Sequence, residues 1–275
     1  MYAILTMKEQ EYCNKYLYIY RYMHMNIPSS HPRAKSLYTR ELLVNGFRNG
    51  LVAIEGLIAH GRGEAFDYLL GEQTTKVARR AIKTACCALL LAKYPIISVN
   101  GNVGALCAKE IVEFSNVTGA PLEVNLFYRT PERERVIQEE LKKNGAKTIL
   151  GIGSRALARI PELQSERRRV DPDGIYKADT LLVPLEDGDR TEALVNMGKT
   201  VITIDLNPLS RTAKAANITI VDNIVRAIPE MIIAAKNMKG TDESIMKKII
   251  KGFDNKLNLA ESLKIIQRWD GGNTE

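Results

Sequence analysis

Apolar residues recur at helical spacing over residues 74–93, and Pro95 closes that run. A short β-branched segment, residues 96–100, reads as a strand followed by Gly101. The alternation continues with a helix over 103–116, a strand over 122–128, a charged helix over 130–144 and a strand over 148–152. Thr130 is placed to cap the charged helix, with Pro131 in its first turn, where a missing N–H is harmless. The second half repeats the rhythm. Strands over 180–184, 200–204 and 218–221 alternate with helices over 191–197, 208–216 and 223–238, the last interrupted near Pro229. Residues 200–204 are almost wholly apolar, as expected of a strand buried on both faces. This rhythm predicts an α/β fold: a mainly parallel sheet flanked by helices, with a helical segment over 26–70 and a helical tail over 241–268.

Composition narrows the class. Of the 275 residues, 45% are hydrophobic and 26% charged, which excludes disorder, collagen and coiled coil as descriptions of the whole chain. No apolar run reaches the ~18 residues of a membrane span. Six of the eleven tyrosines fall in the first 24 residues, a segment without the apolar core of a signal peptide. The four cysteines, Cys13, Cys86, Cys87 and Cys107, match no zinc or redox spacing. Cys86 and Cys87 lie in an apolar helical stretch, so buried free thiols and a reducing cytoplasm are expected. The net charge of +7 suits anionic partners, but most basic residues are interleaved with acids. The dense run Arg167-Arg168-Arg169 reads as a solvated loop, with an anion site as the other reading.

In open parallel α/β sheets, ligands bind beyond the carboxyl ends of the strands. That rule selects Asp205-Leu206-Asn207, with Arg211 and Thr212 close behind, and Asp222-Asn223-Ile224 at the next helix start. There an acid can accept ribose hydroxyls, an amide can read an adenine edge, and free N–H groups can hold an anion. The alternative is that Asp205 and Asp222 cap the following helices. His60-Gly61-Arg62-Gly63-Glu64 either lets the backbone approach a phosphate or ends a helix with an Arg–Glu pair. Asn100 and Asn102 flank Gly101 at a strand end, where two amides can orient a polyol or a carboxylate. Arg129 ends another strand. Glu186-Asp187-Gly188-Asp189-Arg190 ends a third, where acids can hold magnesium or take a proton, unless they form an acidic surface turn. Gly151-Ile152-Gly153 lacks the third glycine of a dinucleotide fingerprint and reads as a turn. No metal spacing links His60 with His24 and His31.

Several blocks carry a resemblance. They include Ile27-Pro28-x-Ser30-His31-Pro32-Arg33, Ser36-Leu37-Tyr38-x-Arg40, the stretch from Gly56 to Leu69, Val99-Asn100-Gly101-Asn102-Val103 and Asn125-Leu126-Phe127-Tyr128-Arg129-Thr130. They continue with the stretches from Val183 to Leu194, Ile202 to Arg211 and Ile218 to Ala227. In this order, from Met25 to Met238, the chain resembles the archaeal 4-phosphopantoate–β-alanine ligase family, also called phosphopantothenate synthetase. The resemblance implies a Rossmann-like homodimer in coenzyme A biosynthesis. It implies that ATP, with magnesium, joins 4-phosphopantoate to β-alanine through an acyl-adenylate, releasing AMP and pyrophosphate. It carries the ATP contacts onto Arg40, Arg62, Asp205, Leu206, Asn207, Arg211, Thr212, Asn223 and Ile224.

Position and chemistry, rather than the resemblance, make His60, Glu64 and Asp187 candidate bases and Asn100, Asn102, Arg129 and Arg190 candidate substrate contacts. No metal ligand is assigned to the protein. Domains are expected as an extension over 1–24, a ligase domain over 25–240 and a tail over 241–275. The extension is either a true upstream segment or a misplaced start, with Met25 as the real one. It holds three basic and two acidic residues, so 36 against 30 remain without it, and the positive balance belongs to the rest. The rivals are another nucleotide enzyme, using NAD or a methyl donor, and a nucleic-acid-binding module. The broken glycine fingerprint opposes the first, and the lack of an aromatic–basic motif opposes the second.

Overall fold

A computed structural model describes Pro28 and residues 30–268. The tyrosine-rich segment and the alternative start at Met25 lie outside the described residues. Chain contacts divide the protein into residues 1–41 and residues 42–275. The described part of the first unit is a turn and the opening of helix α1 (Ala34–Arg48), which crosses the division.

In the second unit, α2 (Ile54–Leu69) and α3 (Lys76–Leu91) precede the sheet. The first half then runs β1 (Pro95–Val99), α4 (Gly101–Thr118), β2 (Leu122–Val124), α5 (Pro131–Lys143) and β3 (Ile149–Leu150). An antiparallel pair, β4 (Ala158–Arg159) with β5 (Arg169–Val170), lies in the connection. The second half runs β6 (Thr180–Leu182), α6 (Gly188–Asn196), β7 (Thr200–Ile204), α7 (Arg211–Ala215), β8 (Ile218–Ile220) and α8 (Ile224–Met238). The chain continues with α9 (Glu243–Lys251) and α10 (Asn255–Gln267). The six sheet strands pair in parallel in the order β3-β2-β1-β6-β7-β8. This is the doubly wound order, so the winding reverses between β1 and β6.

Alternation along each strand feeds two cores. Ile97, Val99, Leu182, Ile202 and Ile204 pack with α3, α4 and α8. Their neighbours Ile96, Leu181, Val183 and Val201 face the other way, toward Ala193 and Leu194 of α6. Register is pinned by pairs such as Ile97 with Leu182 and Val99 with Val124. Cys86, Cys87 and Cys107 are free and buried, and burial pushes the thiols of Cys86 and Cys107 far up.

Two details differ from the sequence reading, and a third extends it. Helix α8 is continuous through Pro229, because its buried stripe from Ile224 to Met238 holds both sides of the missing hydrogen bond against the core. Strand β2 stops at Val124: Asn125 turns its amide to the carbonyls of Arg167 and Arg169, 3.1 and 3.0 Å away. Residues 241–268 pack as integral helices. Met246 joins a cluster with Cys87 and Met238, and Asn255 and Asn258 bond to the backbone around β8.

Candidate active site

The carboxyl ends of β1 and β6, where the winding reverses, open onto a cavity of about 720 Å³. Asn100 stitches that point together. Its amide nitrogen donates to the carbonyls of Pro184 and Leu185, each at 3.1 Å, and its oxygen accepts from Val103 at the start of α4. Leu185 sits at φ +53°, a costly conformation for a non-glycine residue, and Asn100 holds its carbonyl in place. A Cβ on Gly101 would overlap the Leu51 carbonyl oxygen, so only glycine admits this close approach. The starts of four helices reach the cavity: Gly101 and Asn102 of α4, Asp187 before α6, Ser210 and Thr212 around α7, and Asn223 and Ile224 at α8. The free N–H groups and dipoles at helix starts favour anions.

Helix α2 lines the same cavity. Gly56, His60, Gly63 and Asp67 share one face at helical spacing. Asn102 donates to the Gly56 carbonyl at 2.9 Å, Gly63 lies close to Leu206, and Asp67 accepts from Asn223 at 2.8 Å. The segment His60 to Glu64 is therefore neither a phosphate loop nor a helix end. It is the middle of a helix that crosses the strand-end loops closely at Gly56, where a Cβ would overlap the Asn102 side-chain oxygen, while Gly61 meets nothing and a Cβ on Gly63 would make only ordinary contact with Leu206. His60 and Arg62 line the cavity. Glu64 is not among the lining residues and accepts from Tyr68 at 2.8 Å.

On the β7–β8 side, Asp205 accepts from the Asn207 amide at 2.9 Å and from the Ser210 hydroxyl. Burial raises its carboxyl pKa, and those two donors oppose the rise. Asp222 accepts from Thr74, Arg226 and the Asn223 amide. Neither acid caps a helix: Ser210 caps α7 and Asn223 caps α8. Arg226 also binds Asp67, so a buried charge network fixes Asn223 at the cavity edge. Thr212 donates to the Glu186 carbonyl at 2.8 Å.

On the β1–β2 side the groups are different. Arg167, expected in a solvated loop, is only 7% exposed and lines the cavity. It donates to Glu186 at 2.9 Å, and its Nε lies 2.8 Å from Asp187. Burial raises the Asp187 carboxyl, Arg167 draws it down, and Glu186 pushes it up again. Arg133 enters from α5, donating to the carbonyls of Leu51 (3.0 Å) and Tyr128. Burial pulls its guanidinium below the ordinary arginine value. Sequence reasoning passed over Arg133 because its helix reads as charged on every side. The signal for Arg167 was present, in a basic run on a long connection.

Other candidates fall elsewhere. Arg129 is buried in a bond to Glu134 and to the carbonyls of Gly151 and Arg169, where it holds the turn at Gly151 and Gly153. Arg190, 0% exposed, donates to Glu186 and to Ser98 at 3.2 Å. Neither lines the cavity. Both have their charges paired internally, as burial requires. Asn100 does line the cavity, with both amide hydrogens engaged by backbone, and there it clamps the two loops. Arg211 is exposed and pairs with Asp189 (2.6 Å) and Glu192 (2.8 Å). Arg40 lies on α1 in the first unit. Among the described residues, no three His, Cys, Asp or Glu side chains are grouped to hold a metal, and no helix is long and apolar enough to cross a membrane.

The family model for phosphopantothenate/pantothenate synthetase matches residues 77–269. The 4-phosphopantoate–beta-alanine ligase of Thermococcus kodakarensis is 56% identical over 240 residues, which cover 87% of this chain and 91% of that one. The ligase of the same name from Thermococcus onnurineus is 55% identical, over 87% of this chain and 91% of its own. That from Methanosarcina mazei is 52% identical, over 88% and 94%. With this much of both chains in register, and a doubly wound sheet with a cavity at its switch point, the chain belongs to the phosphopantothenate/pantothenate synthetase family.

Proposed function

We propose that this protein uses ATP to join 4-phosphopantoate to β-alanine, giving 4′-phosphopantothenate, AMP and pyrophosphate through an acyl-adenylate. The reaction would serve coenzyme A synthesis in the cytoplasm, in a homodimer. The observation that carries the reading is identity of 52–56% with ligases of that name over nearly nine tenths of the chain. The cavity supports it chemically, because both substrates of the first step are polyanions and four helix starts and three arginines face the space they would share.

In this reading ATP takes the β7–β8 side. Asp205 receives the ribose, Asn207 the base, and the helix starts at Thr212 and Asn223–Ile224 the phosphates. Arg62 reaches the triphosphate from α2. Arg211 is recruited from its exposed pairs, which hold it only weakly. Magnesium would arrive on the triphosphate, shielding its charge; no residue of the chain is assigned to it. The substrate carboxylate then attacks the α-phosphorus and pyrophosphate leaves. The β-alanine amine attacks the acyl carbon, loses a proton, and AMP leaves. Asp187 is the best-placed proton acceptor, half-exposed at the cavity and raised by burial toward the pKa of a working base. His60 is the second candidate.

The test is turnover. AMP is expected in amounts exceeding enzyme only when ATP, magnesium, 4-phosphopantoate and β-alanine are all present. Release of ADP, or AMP production indifferent to β-alanine, contradicts the proposal.

A further inference from the structure

Strand β2 carries a fully buried carboxylate away from the cavity. Leu122 and Val124 face the core shared with α3, α4 and α8, while Glu123 faces the long connection between β3 and β6. Its two oxygens accept from the backbone amides of Asp171 (2.9 Å) and Ile175 (2.5 Å). A Cβ on Gly174 would overlap one of those oxygens, so glycine lets the turn close over the carboxylate. Burial lifts this carboxyl to about 7, and the two amides and Arg190 oppose the rise. An apolar residue would fill the place without that cost, but it would leave both amides unpaired.

What Glu123 holds leads to the cavity. Two residues on, Asn125 grips the same connection. Its amide donates to the carbonyls of Arg167 and Arg169, and its own carbonyl accepts from the Arg167 guanidinium at 3.3 Å. Glu123 and Asn125 together fasten residues 167–175 at both ends, by N–H groups at one and by carbonyls at the other. Arg167, at the near end, lines the cavity.

Charge runs along the same route. Ser98, the register partner of Glu123 on β1, accepts from Arg190 of α6 at 3.2 Å. The field of Glu123 reaches Arg190 and opposes the pull of burial on its guanidinium. Arg190 and Arg167 share Glu186. Asp171, the other acid felt by Glu123, is paired separately with Arg155 at 2.7 Å. With Glu123 ionised, two carboxylates balance the two guanidiniums of this layer. With Glu123 neutral, Glu186 alone serves both, and the fully enclosed Arg190 has the stronger claim on it.

We propose that Glu123 is a positioning residue: it touches no substrate, and it sets Arg167 at the cavity wall by fastening the connection and by balancing Arg190. On the ligase reading, on which this inference rests, Arg167 is one of three arginines facing the anionic substrates. Misplacing it slows the reaction without loosening ATP, because the groups suited to a nucleotide line the β7–β8 side.

The test is a double-mutant cycle of Glu123→Gln and Arg167→Gln. It reads kcat, the KM for ATP and hydrogen exchange of residues 167–175, at a pH where the Glu123 carboxyl is ionised. Glu123→Gln keeps the shape but offers one acceptor to two amides and removes the charge. It should lower kcat on the order of 10²-fold, the effect of a misplacement of about 1 Å, with the ATP KM within a few-fold. Arg167→Gln alone should lower kcat on the order of 10²–10³-fold. The double variant should be no slower than Arg167→Gln, because Glu123 then has no guanidinium to place and one carboxylate again meets one guanidinium. Losses that multiply would mean that Glu123 acts by another route, and would overturn the proposal. So would a wild-type kcat in either single variant, or a loss carried entirely by the ATP KM. If Glu123→Gln does not fold, Glu123→Asp, which keeps the charge and shortens its reach, carries the same cycle. Failure of the ligase reading looks different. Wild type would then make no AMP, and exchange decides alone. Faster exchange in Glu123→Gln that extends from Asp171 to Arg167 upholds the positioning. Faster exchange confined to Asp171 and Ile175, or none, overturns it.

Discussion

The two sides of the cavity are built by opposite means. On the β7–β8 side, polar residues contiguous in sequence organise their own loops: Asp205 holds the Asn207 amide, Ser210 caps the helix that follows, and Asn223 caps the next. On the β1–β2 side, the groups facing the void arrive from distant segments. Arg133 comes from α5, Arg167 from the connection before β5, and Asp187 from the loop after β6. They are held by one buried chain of charge: Arg190 binds Glu186, Glu186 binds Arg167, and Arg167 meets Asp187. The first side is local and suits a ligand common to many enzymes. The second is long-range and suits a ligand particular to this one.

The largest expected effect breaks the second side alone. Glu186→Gln leaves Arg167 and Arg190 without their shared carboxylate, and removing one partner of a buried ion pair costs about 3–5 kcal/mol. Urea denaturation should show that loss. A variant of near wild-type stability would mean that the charge chain does not hold this side.

Arg62→Ala should act on rate instead. Loss of a transition-state donor costs on the order of 10²–10³ in kcat. Arg62 is exposed on α2, so the melting temperature should stay within a few degrees. A collapsed fold would make Arg62 structural.

Asp187 connects the sides through pH. Its carboxyl is raised above the ordinary value by burial, and a base must be deprotonated to work. Activity should therefore fall with decreasing pH through a limb lying above the usual aspartate pKa of about 3.9. Asp187→Asn should lower kcat and abolish that limb. An unchanged limb in the variant would transfer the role to His60.

Arg211→Ala should have the smallest effect on the fold, leaving the melting temperature essentially unchanged, because its ion pairs are exposed. Its ATP KM should nevertheless rise if the guanidinium swings to the phosphates. An unchanged ATP KM would leave it at the surface.

The same contrast explains what the sequence disclosed. The parallel sheet was legible because Ile202, Ile204, Leu182 and Val99 lie in short apolar runs that alternate with helical periods. The β7–β8 loops were legible because each is one contiguous motif at a strand end. The glycines around Arg62 misled, since they lie in mid-helix, where Gly61 meets nothing and Gly63 faces Leu206 at ordinary distance, and spacing alone does not separate that from a phosphate loop. Spacing did not place Arg129 and Arg190, because a strand end can point an arginine inward to Glu134 or Glu186, as here, as readily as outward to a cavity. Arg133 could not be read from spacing, and the basic run at Arg167 did not say where it would fold: the segments that bring the two to one cavity are joined only by folding.

The central claim is that the two sides present a carboxylate to the α-phosphorus of ATP across the switch point. The most direct measurement uses 4-phosphopantoate labelled with ¹⁸O in its carboxylate, with mass spectrometry of the nucleotide after turnover with β-alanine. The account predicts one labelled oxygen in AMP and none in pyrophosphate. Unlabelled AMP, or label leaving in inorganic phosphate beside ADP, would contradict it.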